Sequence, residues 1–394
     1  MSIEKVIIAG GGIGGLTAAA SLLQAGVDVE IYEQASQLGE VGAGIQVSAN
    51  ASRVYQHLGL LDRLVDCGYR PDEYRFRVYD EGDVLQHIPL GNQYEQRHDV
   101  PYISVHRADL HRILVDRVRE LKKDAIHLCA EAAEFVEDEH GITLHFTNRE
   151  PAHGDLLIGA DGIKSSIRKQ IAGDTPVNYT GDASWRIIVP MNDLPQEHRQ
   201  TSVDIWVGPG KHAVTYPLRG GELLNLVGCV EHEEWDDESW VAVAPWEEMV
   251  RDFADWHPTI QEIIQHADRD KCYRWAMNNR APIRNWSTQR ATLLGDAAHP
   301  TLPYMAQGAA MAVEDAAVLA RAVQMESDAT AAIDLYQRNR VDRTARIVNE
   351  SSANRDLFHL DSTQALRDAF AKRDMNAERS AWLFSYDPVN VPLM

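Results

Sequence analysis

A glycine-rich turn near the N-terminus constrains the fold more than any other feature of this 394-residue sequence. The apolar residues 5–9 predict a buried strand, "GGGIGG" follows it directly, and residues 17–24 predict a helix. A second predicted strand, residues 27–33, ends on a glutamate. A strand, a glycine turn, a helix and a second strand in this order predict a βαβ unit.

The glycines of this turn have the spacing of a dinucleotide-binding site. Gly10 allows a tight turn, Gly12 lets a pyrophosphate approach the backbone, and Gly15 allows the helix to pack closely on the strand. The helix N-terminus favours phosphate charge, and Glu33 can accept hydrogen bonds from ribose hydroxyls. The pattern predicts a bound dinucleotide, but it does not distinguish NAD from FAD.

A second strand–turn–helix pattern, "LLGDAAHPTLPYMAQGAAMAVEDA", occupies residues 293–316. Asp296 follows an apolar strand, Pro300 and Pro303 stiffen the turn, and Gly308 opens an alanine-rich helix. A carboxylate at the bend can bind sugar or polyol hydroxyls. The helix N-terminus favours negative charge, which reduced flavin carries near N1 and O2. The two patterns together therefore favour FAD.

Composition excludes several other classes. The net charge of −21 argues against a nucleic-acid partner or an anionic membrane surface. The four cysteines lie far apart, which predicts free thiols and no metal site. Because no secretory signal or membrane-spanning run is evident, we expect a cytoplasmic protein. The acidic stretch at residues 231–239 predicts a solvated link.

The motifs "GGGIGG", "HRADL" and "DLLIGADGIKSSIR", followed by the 293–316 segment, identify a family resemblance. The chain resembles the class A single-component FAD-dependent aromatic hydroxylases related to 4-hydroxybenzoate hydroxylase, over nearly its whole length. It is most similar to the salicylate, 3-hydroxybenzoate and 6-hydroxynicotinate monooxygenases. Two positions differ from these groups. Pro303 stands where 3-hydroxybenzoate 6-hydroxylases have Gln, and Gln46 stands where the 6-hydroxynicotinate enzymes have His.

The resemblance implies an α/β fold with a Rossmann-like FAD-binding domain, an inserted, mostly antiparallel β-sheet substrate domain and a helical C-terminal tail. Strand-like segments bounded by Pro and Gly after residue 178 agree with the inserted sheet. The predicted FAD-binding segments are residues 1–72, 99–178 and 271–340. The predicted substrate-domain segments are residues 73–98 and 179–270, and the helical region is 341–394.

The resemblance also implies the residues that bind tightly held FAD. Gly10, Gly12, Gly15 and Glu33 bind the ADP part, Gln34 and Arg107 contact the cofactor, Asp296 holds the ribityl chain, and Gly308 and Ala309 face the flavin ring. Asp161 is implied in both FAD and NAD(P)H binding. A single GxGxxG fits transient binding of NADH or NADPH, and the sequence leaves the choice between these two open.

Candidate substrate-facing residues lie in four regions. His212 and Tyr216 are four apart in "HAVTY", so a strand presents them on one face, and imidazole has a pKa suited to a phenolic proton. These two and Pro300 are the predicted catalytic residues, and Arg186 can pair with a carboxylate. The complete set predicted to line the substrate site is Gln46, Arg186, Pro303, Tyr304 and Met305.

The resemblance implies a monooxygenase that uses NAD(P)H and O2 to hydroxylate a small hydroxylated aromatic or pyridine carboxylate through a flavin C4a-hydroperoxide. The enzyme is expected to be a monomer or a homodimer. Three alternatives stay open at this point. They are an FAD-dependent epoxidase or hydroxylase of secondary metabolism, a flavin dehydrogenase or reductase that does not use O2, and a non-catalytic nucleotide sensor.

Overall fold

The computed structural model describes residues 3–39, 44–232 and 243–394. Most of the predicted acidic link, residues 233–239, therefore lies outside the described residues. Of the helices that are described, none is both long enough and apolar enough to cross a lipid bilayer.

A parallel sheet of five described strands carries the N-terminal βαβ unit. Its strands, in spatial order, are β17 (Ala291–Leu293), β11 (Leu156–Gly159), β1 (Lys5–Ala9), β2 (Asp28–Tyr32) and β7 (Ile126–His127). Helix α1 (Ile13–Gln24) packs against α5 (Arg107–Leu121) and α9 (Gly308–Met325). The strands are apolar and buried, as expected for a parallel sheet covered by helices. Both nucleotide-type motifs thus belong to one sheet, since β1 and β17 flank β11.

A second, mostly antiparallel sheet has seven strands in the described chain. In spatial order they are β16 (Tyr273–Asn279), β12 (Asn178–Pro190), β15 (Leu223–Glu231), β14 (Lys211–Leu218), β13 (Val203–Gly208), β4 (Glu73–Val78) and β5 (Val84–Pro89). One face packs on α7 (Trp246–Asp252) and α8 (Pro258–Gln265) through Trp185, Leu226 and Phe253. Because side chains alternate along a strand, the opposite face presents a different set of residues.

The remaining elements connect and cover the two sheets. The remaining strands are β3 (Gly44–Val47), β6 (Ile103–His106), β8 (Ala132–Glu137), β9 (Ile142–Phe146) and β10 (Ala152–Gly154). The remaining helices are α2 (Ala49–His57), α3 (Leu61–Cys67), α4 (Gly91–His98), α6 (Ser166–Ala172), α10 (Ala329–Phe358), α11 (Thr363–Phe370) and α12 (Met375–Glu378).

The predicted fold class is confirmed, with local differences. Two helices, α2 and α3, lie within the first predicted FAD-binding segment and are separated at Gly59, whose φ of +70° ends the first helix. The antiparallel sheet continues after residue 270, because β16 pairs with β12. The domain boundaries themselves stay a prediction.

Candidate active site

A cavity of about 580 Å³ lies between the carboxyl end of the parallel sheet and the face of the antiparallel sheet that is turned away from α7 and α8. Gly12, Arg107, Asp296 and Gly308 line one side of it. These residues come from the glycine turn, the start of α5, the turn after β17 and the start of α9. Four segments far apart in sequence therefore meet at the edge where parallel sheets bind ligands.

The glycine turn is held in a shape that only glycine allows at two positions. Gly10 has φ +107°, and a Cβ there would lie 2.3 Å from the carbonyl oxygen of Ala160. A Cβ on Gly15 would lie 2.1 Å from the carbonyl oxygen of Gly10. By contrast, nothing lies within 4 Å of a Cβ placed on Gly12, which borders the cavity. Gly10 and Gly15 thus shape the turn, and Gly12 leaves room beside it.

Glu33 lies next to this turn at the end of β2. Its carboxylate accepts hydrogen bonds from the backbone amides of Gly11, at 2.7 Å, and Ala35, at 2.8 Å. The neighbouring Gln34 is exposed and does not border the cavity. Glu33 is therefore held against the glycine turn by backbone amides, and its predicted role in ribose binding stays a prediction.

Asp296 and Arg107 form the charged part of the cavity wall. Asp296 is exposed only toward the cavity, and burial by the surrounding protein raises the pKa of its carboxyl group, partly offset by His299 and Arg107. Burial lowers the pKa of Arg107, and the charge of Asp296 opposes that effect. A carboxylate in this position can accept hydrogen bonds from a polyol, and a guanidinium can donate them.

The N-terminus of α9 points into the cavity at Gly308 and Ala309. The preceding Gln307 is buried, and its side chain accepts a hydrogen bond from Asn50 at 2.9 Å. Asn50 also donates to Glu314 inside α9, at 2.5 Å. These hydrogen bonds from Asn50 hold the start of α9 in place. The free backbone amide groups of the helix start favour negative charge.

Asp161 has a different position from the other predicted cofactor residues. Its carboxylate accepts hydrogen bonds from the Ser165 hydroxyl and the Ser166 amide, the latter at 2.9 Å. Its neighbours Ala160 and Gly162 border the cavity, whereas Asp161 does not. In this structure the side chain holds the loop between β11 and α6, and its predicted role in nucleotide binding stays a prediction.

The antiparallel sheet forms the opposite wall. His212, Val214 and Tyr216 alternate along β14 and face the cavity, as the spacing predicts. Strand pairing aligns Val214 with Val227, and Val227 with Arg186. The side chains of His212, Tyr216 and Arg186 therefore stand on one face of three adjacent strands.

Arg186 is a half-buried cation on this wall. Its guanidinium carbon lies 4.4 Å from the ring centroid of Trp275, and its Nε has no hydrogen-bond partner. Burial lowers the pKa of Arg186, and the neighbouring groups that act on it are Tyr216 and Cys229. Among the described residues, no carboxylate forms an ion pair with it. Because this cation is partly removed from water and no ion-pair partner is found among the described residues, the site favours an anion.

His212 is 1% exposed and contacts a second histidine that the sequence analysis missed. Its Nδ1 lies 2.8 Å from Nε2 of His359, and its ring packs on Tyr304 at 4.7 Å between centroids. Burial, with the nearby His359 and Arg355, holds the pKa of His212 well below its usual range. The imidazole is therefore neutral near pH 7 and has a free lone pair, as a base requires.

The other predicted substrate residues divide into two groups. Gln46, Pro300 and Pro303 border the cavity, and Gln46 accepts a hydrogen bond from Tyr102. Tyr304 and Met305 do not border it. Both are buried in the core behind the wall, and the Tyr304 hydroxyl donates to Asp182 at 2.5 Å. They lie between Pro303 and Ala306, which do border the cavity, in the tight turn before α9.

The cavity fits FAD. The open space at Gly12 would admit a pyrophosphate, and the carboxylate of Asp296 could accept hydrogen bonds from a polyol. The free amides at the N-terminus of α9 border the same cavity. Five of the predicted cofactor residues therefore line one cavity, namely Gly12, Arg107, Asp296, Gly308 and Ala309, whereas Gly10, Gly15, Glu33, Gln34 and Asp161 lie outside its lining.

The fold and the cavity define a flavoprotein with a Rossmann-type FAD site and an attached substrate sheet. The chain belongs to the FAD-binding-domain family, which matches residues 4–351. It is 39% identical to 3-hydroxybenzoate 6-hydroxylase of Polaromonas naphthalenivorans (strain CJ2), over 92% of this chain and 90% of that enzyme. It is 33% identical to 6-hydroxynicotinate 3-monooxygenase of Pseudomonas fluorescens, over 99% of this chain and 97% of that enzyme.

A solved structure agrees with these relatives. A salicylate hydroxylase in complex with its substrate superposes with a TM-score of 0.84 at 25% identity, over 98% of this chain and 96% of that one. The family resemblance seen in the motifs is thus confirmed. The chain is an FAD-dependent flavoprotein monooxygenase of the aromatic hydroxylase class.

Proposed function

We propose that this enzyme hydroxylates a small aromatic or pyridine carboxylate that already carries a ring hydroxyl, with the carboxylate paired to Arg186 and the hydroxyl beside His212. The observation that carries the proposal is the half-buried guanidinium of Arg186, which borders the cavity and lacks an ion-pair partner among the described residues. The names of the relatives agree with an aromatic acid as the ligand.

Arg186 suits a carboxylate for two reasons. Its planar fork can donate two parallel hydrogen bonds to a carboxylate, and such bonds are about twice as strong as neutral ones. Stacking on Trp275 restrains the guanidinium, so less side-chain freedom is lost on binding. An aromatic acid also has apolar ring faces that match Val214 and Val227 on the same wall.

His212 is proposed as the base that takes the proton of the ring hydroxyl. A phenolate is a better nucleophile than a phenol, because its negative charge raises the electron density of the ring carbons. General-base assistance of this kind contributes about 10²–10⁴-fold. Tyr216, four residues along the strand, is proposed to donate a hydrogen bond to the substrate, since burial raises its pKa and keeps it protonated.

When bound, FAD takes two electrons from NAD(P)H and activates O2, so that one oxygen atom enters the ring and the other leaves as water. The chain's own residues bind the substrate anion, orient its ring and keep water away from it. Val214, Val227 and Met277 contribute apolar surface to that wall. Exclusion of water matters because an activated oxygen species that meets solvent yields peroxide instead of product.

Anaerobic mixing tests this proposal. The enzyme is combined with NADH or NADPH and, in turn, 3-hydroxybenzoate, salicylate or 6-hydroxynicotinate, and flavin bleaching is followed. We expect one acid to accelerate reduction and, in air, to give a product heavier by one oxygen, or by one oxygen with loss of carbon dioxide. Benzyl alcohol analogues without the carboxylate serve as the control. Equal stimulation by the acid and its alcohol would contradict the role of Arg186.

A further inference from the structure

A chain of three titratable side chains leads from the cavity to the protein surface. His212 Nδ1 lies 2.8 Å from His359 Nε2, and His359 Nδ1 lies 3.0 Å from Oε1 of Glu231. The two imidazoles are buried, whereas 45% of the Glu231 side chain is exposed. We call His212, His359 and Glu231 the relay. They lie on β14, directly after α10, and at the end of β15.

We propose that His359 and Glu231 are positioning residues that act on the substrate through His212, by fixing which ring nitrogen carries its proton and by conducting the substrate's proton to solvent. This inference rests on the proposed function, because it needs His212 as the base.

The carboxylate end of the relay sets both tautomers. Glu231 accepts the Nδ1–H of His359, so the neutral His359 has its lone pair on Nε2. That lone pair accepts the Nδ1–H of His212, and the neutral His212 then has its lone pair on Nε2. Nε2 is the nitrogen left available to the cavity, which His212 borders. The carboxylate of Glu231, at the far end of the relay, thus leaves the lone pair of His212 facing the substrate.

Every proton that moves can be followed along the relay. The ring hydroxyl gives its proton to Nε2 of His212, the Nδ1 proton of His212 passes to Nε2 of His359, and the Nδ1 proton of His359 passes to Glu231 and then to water. One proton enters and one leaves, so the net change is a phenolate in the cavity and a proton in solvent. A proton returned along the relay restores both starting tautomers. His212 therefore never has to keep an imidazolium in a buried site.

The groups around His359 favour this direction of transfer. Asp182 on β12, Glu231 on β15 and Arg355 on α10 face it, and Tyr304 packs against its ring. Burial lowers the pKa of His359, while Asp182 and Glu231 oppose that effect. Asp182 is fully buried and paired with Arg355 at 2.6 Å and 2.8 Å, so it offers no exit to solvent. Glu231 is the member of the group that reaches water.

Asp182, Glu231 and His359 are also close enough together to bind a metal ion, but the guanidinium of Arg355 already lies among them. Ligand atoms of Asp182, Glu231 and His359 lie within 4.8 Å of one another. Arg355 donates to Asp182 and lies 3.2 Å from Glu231. The guanidinium supplies the positive charge that the two carboxylates need, so the cluster favours proton transfer over metal binding.

The test measures the ionisation of a bound phenol in the intact holoenzyme. 3-Hydroxybenzoate is the probe, and the ultraviolet difference spectrum between its phenol and phenolate forms is recorded against pH. The variants are Glu231→Gln, which keeps an acceptor oxygen but removes the charge, His359→Phe, which keeps ring packing, and His212→Gln. Glu222→Gln, an exposed carboxylate at the start of β15, is the control. Turnover is measured over the same pH range, with and without EDTA.

We expect Glu231→Gln and His359→Phe to raise the apparent pKa of the bound phenol and to lower kcat about tenfold at neutral pH, with recovery at high pH where the phenol ionises unaided. Glu231→Asp should restore part of the loss, and Glu222→Gln should change neither quantity. A merely structural role predicts loss of binding that high pH does not repair. Glu231→Gln is a surface change that should fold even if His359→Phe does not.

Two outcomes overturn the inference in different ways. If His212→Gln shifts the titration but Glu231→Gln and His359→Phe do not, His212 is the base and the relay is wrong. If His212→Gln also leaves the titration unchanged, or 3-hydroxybenzoate and the other two acids do not bind, the proposed function fails and the relay fails with it. Loss of turnover with EDTA would show a metal at the cluster and would also overturn the relay.

Discussion

His299 Nε2 lies 2.6 Å from a carboxylate oxygen of Asp315, and both side chains are buried. Asp315 also accepts a hydrogen bond from the amide of Gly295, at 3.1 Å, and from Nε of Arg340, at 2.7 Å. One carboxylate on α9 thus holds the turn that carries Asp296 and ties it to α10. The position of Asp296 depends on a buried charge cluster that does not border the cavity.

Replacing Asp315 with Asn should destabilise the protein and loosen this turn. The change leaves His299 without a charged partner and removes one of the two carboxylates paired with Arg340, which keeps Glu314 at 2.7 Å. Breaking a buried ion pair costs about 3 kcal/mol. We expect a lower free energy of unfolding in urea and a lower FAD content. Asp342→Asn, which removes an exposed pair with Arg284, is the control and should change neither. Equal stability of the two variants would contradict the role of Asp315.

The same residue predicts a pH dependence of stability. Burial alone would raise the pKa of Asp315, but His299 and Arg340 hold it at about 2. A folded-state pKa below the unfolded value stabilises the protein at higher pH. The contribution, about 2 kcal/mol, is present above about pH 4 and is lost as the pH falls toward 2. Urea unfolding from about pH 5 downward should show the Asp315→Asn variant and the unsubstituted protein converging. If the free energies of unfolding of the two proteins instead stayed equally far apart as the pH falls, Asp315 would not be the titrating group.

Two glycines of the N-terminal turn should respond differently to alanine. Gly10→Ala places a Cβ 2.3 Å from a backbone oxygen at a φ of +107°, so both stability and FAD binding should fall. Gly12→Ala meets nothing within 4 Å, so the apoprotein should stay as stable while FAD occupancy drops. Visible flavin absorbance and thermal unfolding of apoprotein separate the two effects. Gly39→Ala, also unobstructed, is the control. Normal FAD content in Gly12→Ala would exclude a pyrophosphate there.

The sequence predicts the cofactor side of the site well, because its signals are local. The spacing of Gly10, Gly12 and Gly15 is set by one turn, and each residue has the position that the pattern requires. The strand–turn–helix around Asp296 is equally local, and Asp296 borders the same cavity. The alternation of His212 and Tyr216 holds because β14 is a regular strand.

The substrate side is less predictable, because long-range packing decides it. His359 lies 147 residues from His212 in sequence, and no local pattern joins a histidine after a helix to one in a strand. The direction of Tyr304 is decided by its bond to Asp182, 122 residues away. A signal did exist for Asp315 and Arg340: charged residues inside the apolar pattern of α9 and α10 indicate a buried pair.

Replacing Arg186 with Met should weaken substrate binding without weakening the fold. The substrate carboxylate loses charged hydrogen bonds worth about 2 kcal/mol, so KM for the acid should rise about 30-fold. The unliganded variant should unfold at the same temperature or higher, because a half-buried cation without an ion-pair partner among the described residues has been removed. Arg274→Met is the matched control. Arg274 lies over Trp185 on the opposite face of the sheet and pairs with Glu248 at 2.6 Å. Its loss should reduce stability and leave KM unchanged. Steady-state kinetics and thermal unfolding measure both quantities, and an unchanged KM in Arg186→Met would remove the carboxylate from this position.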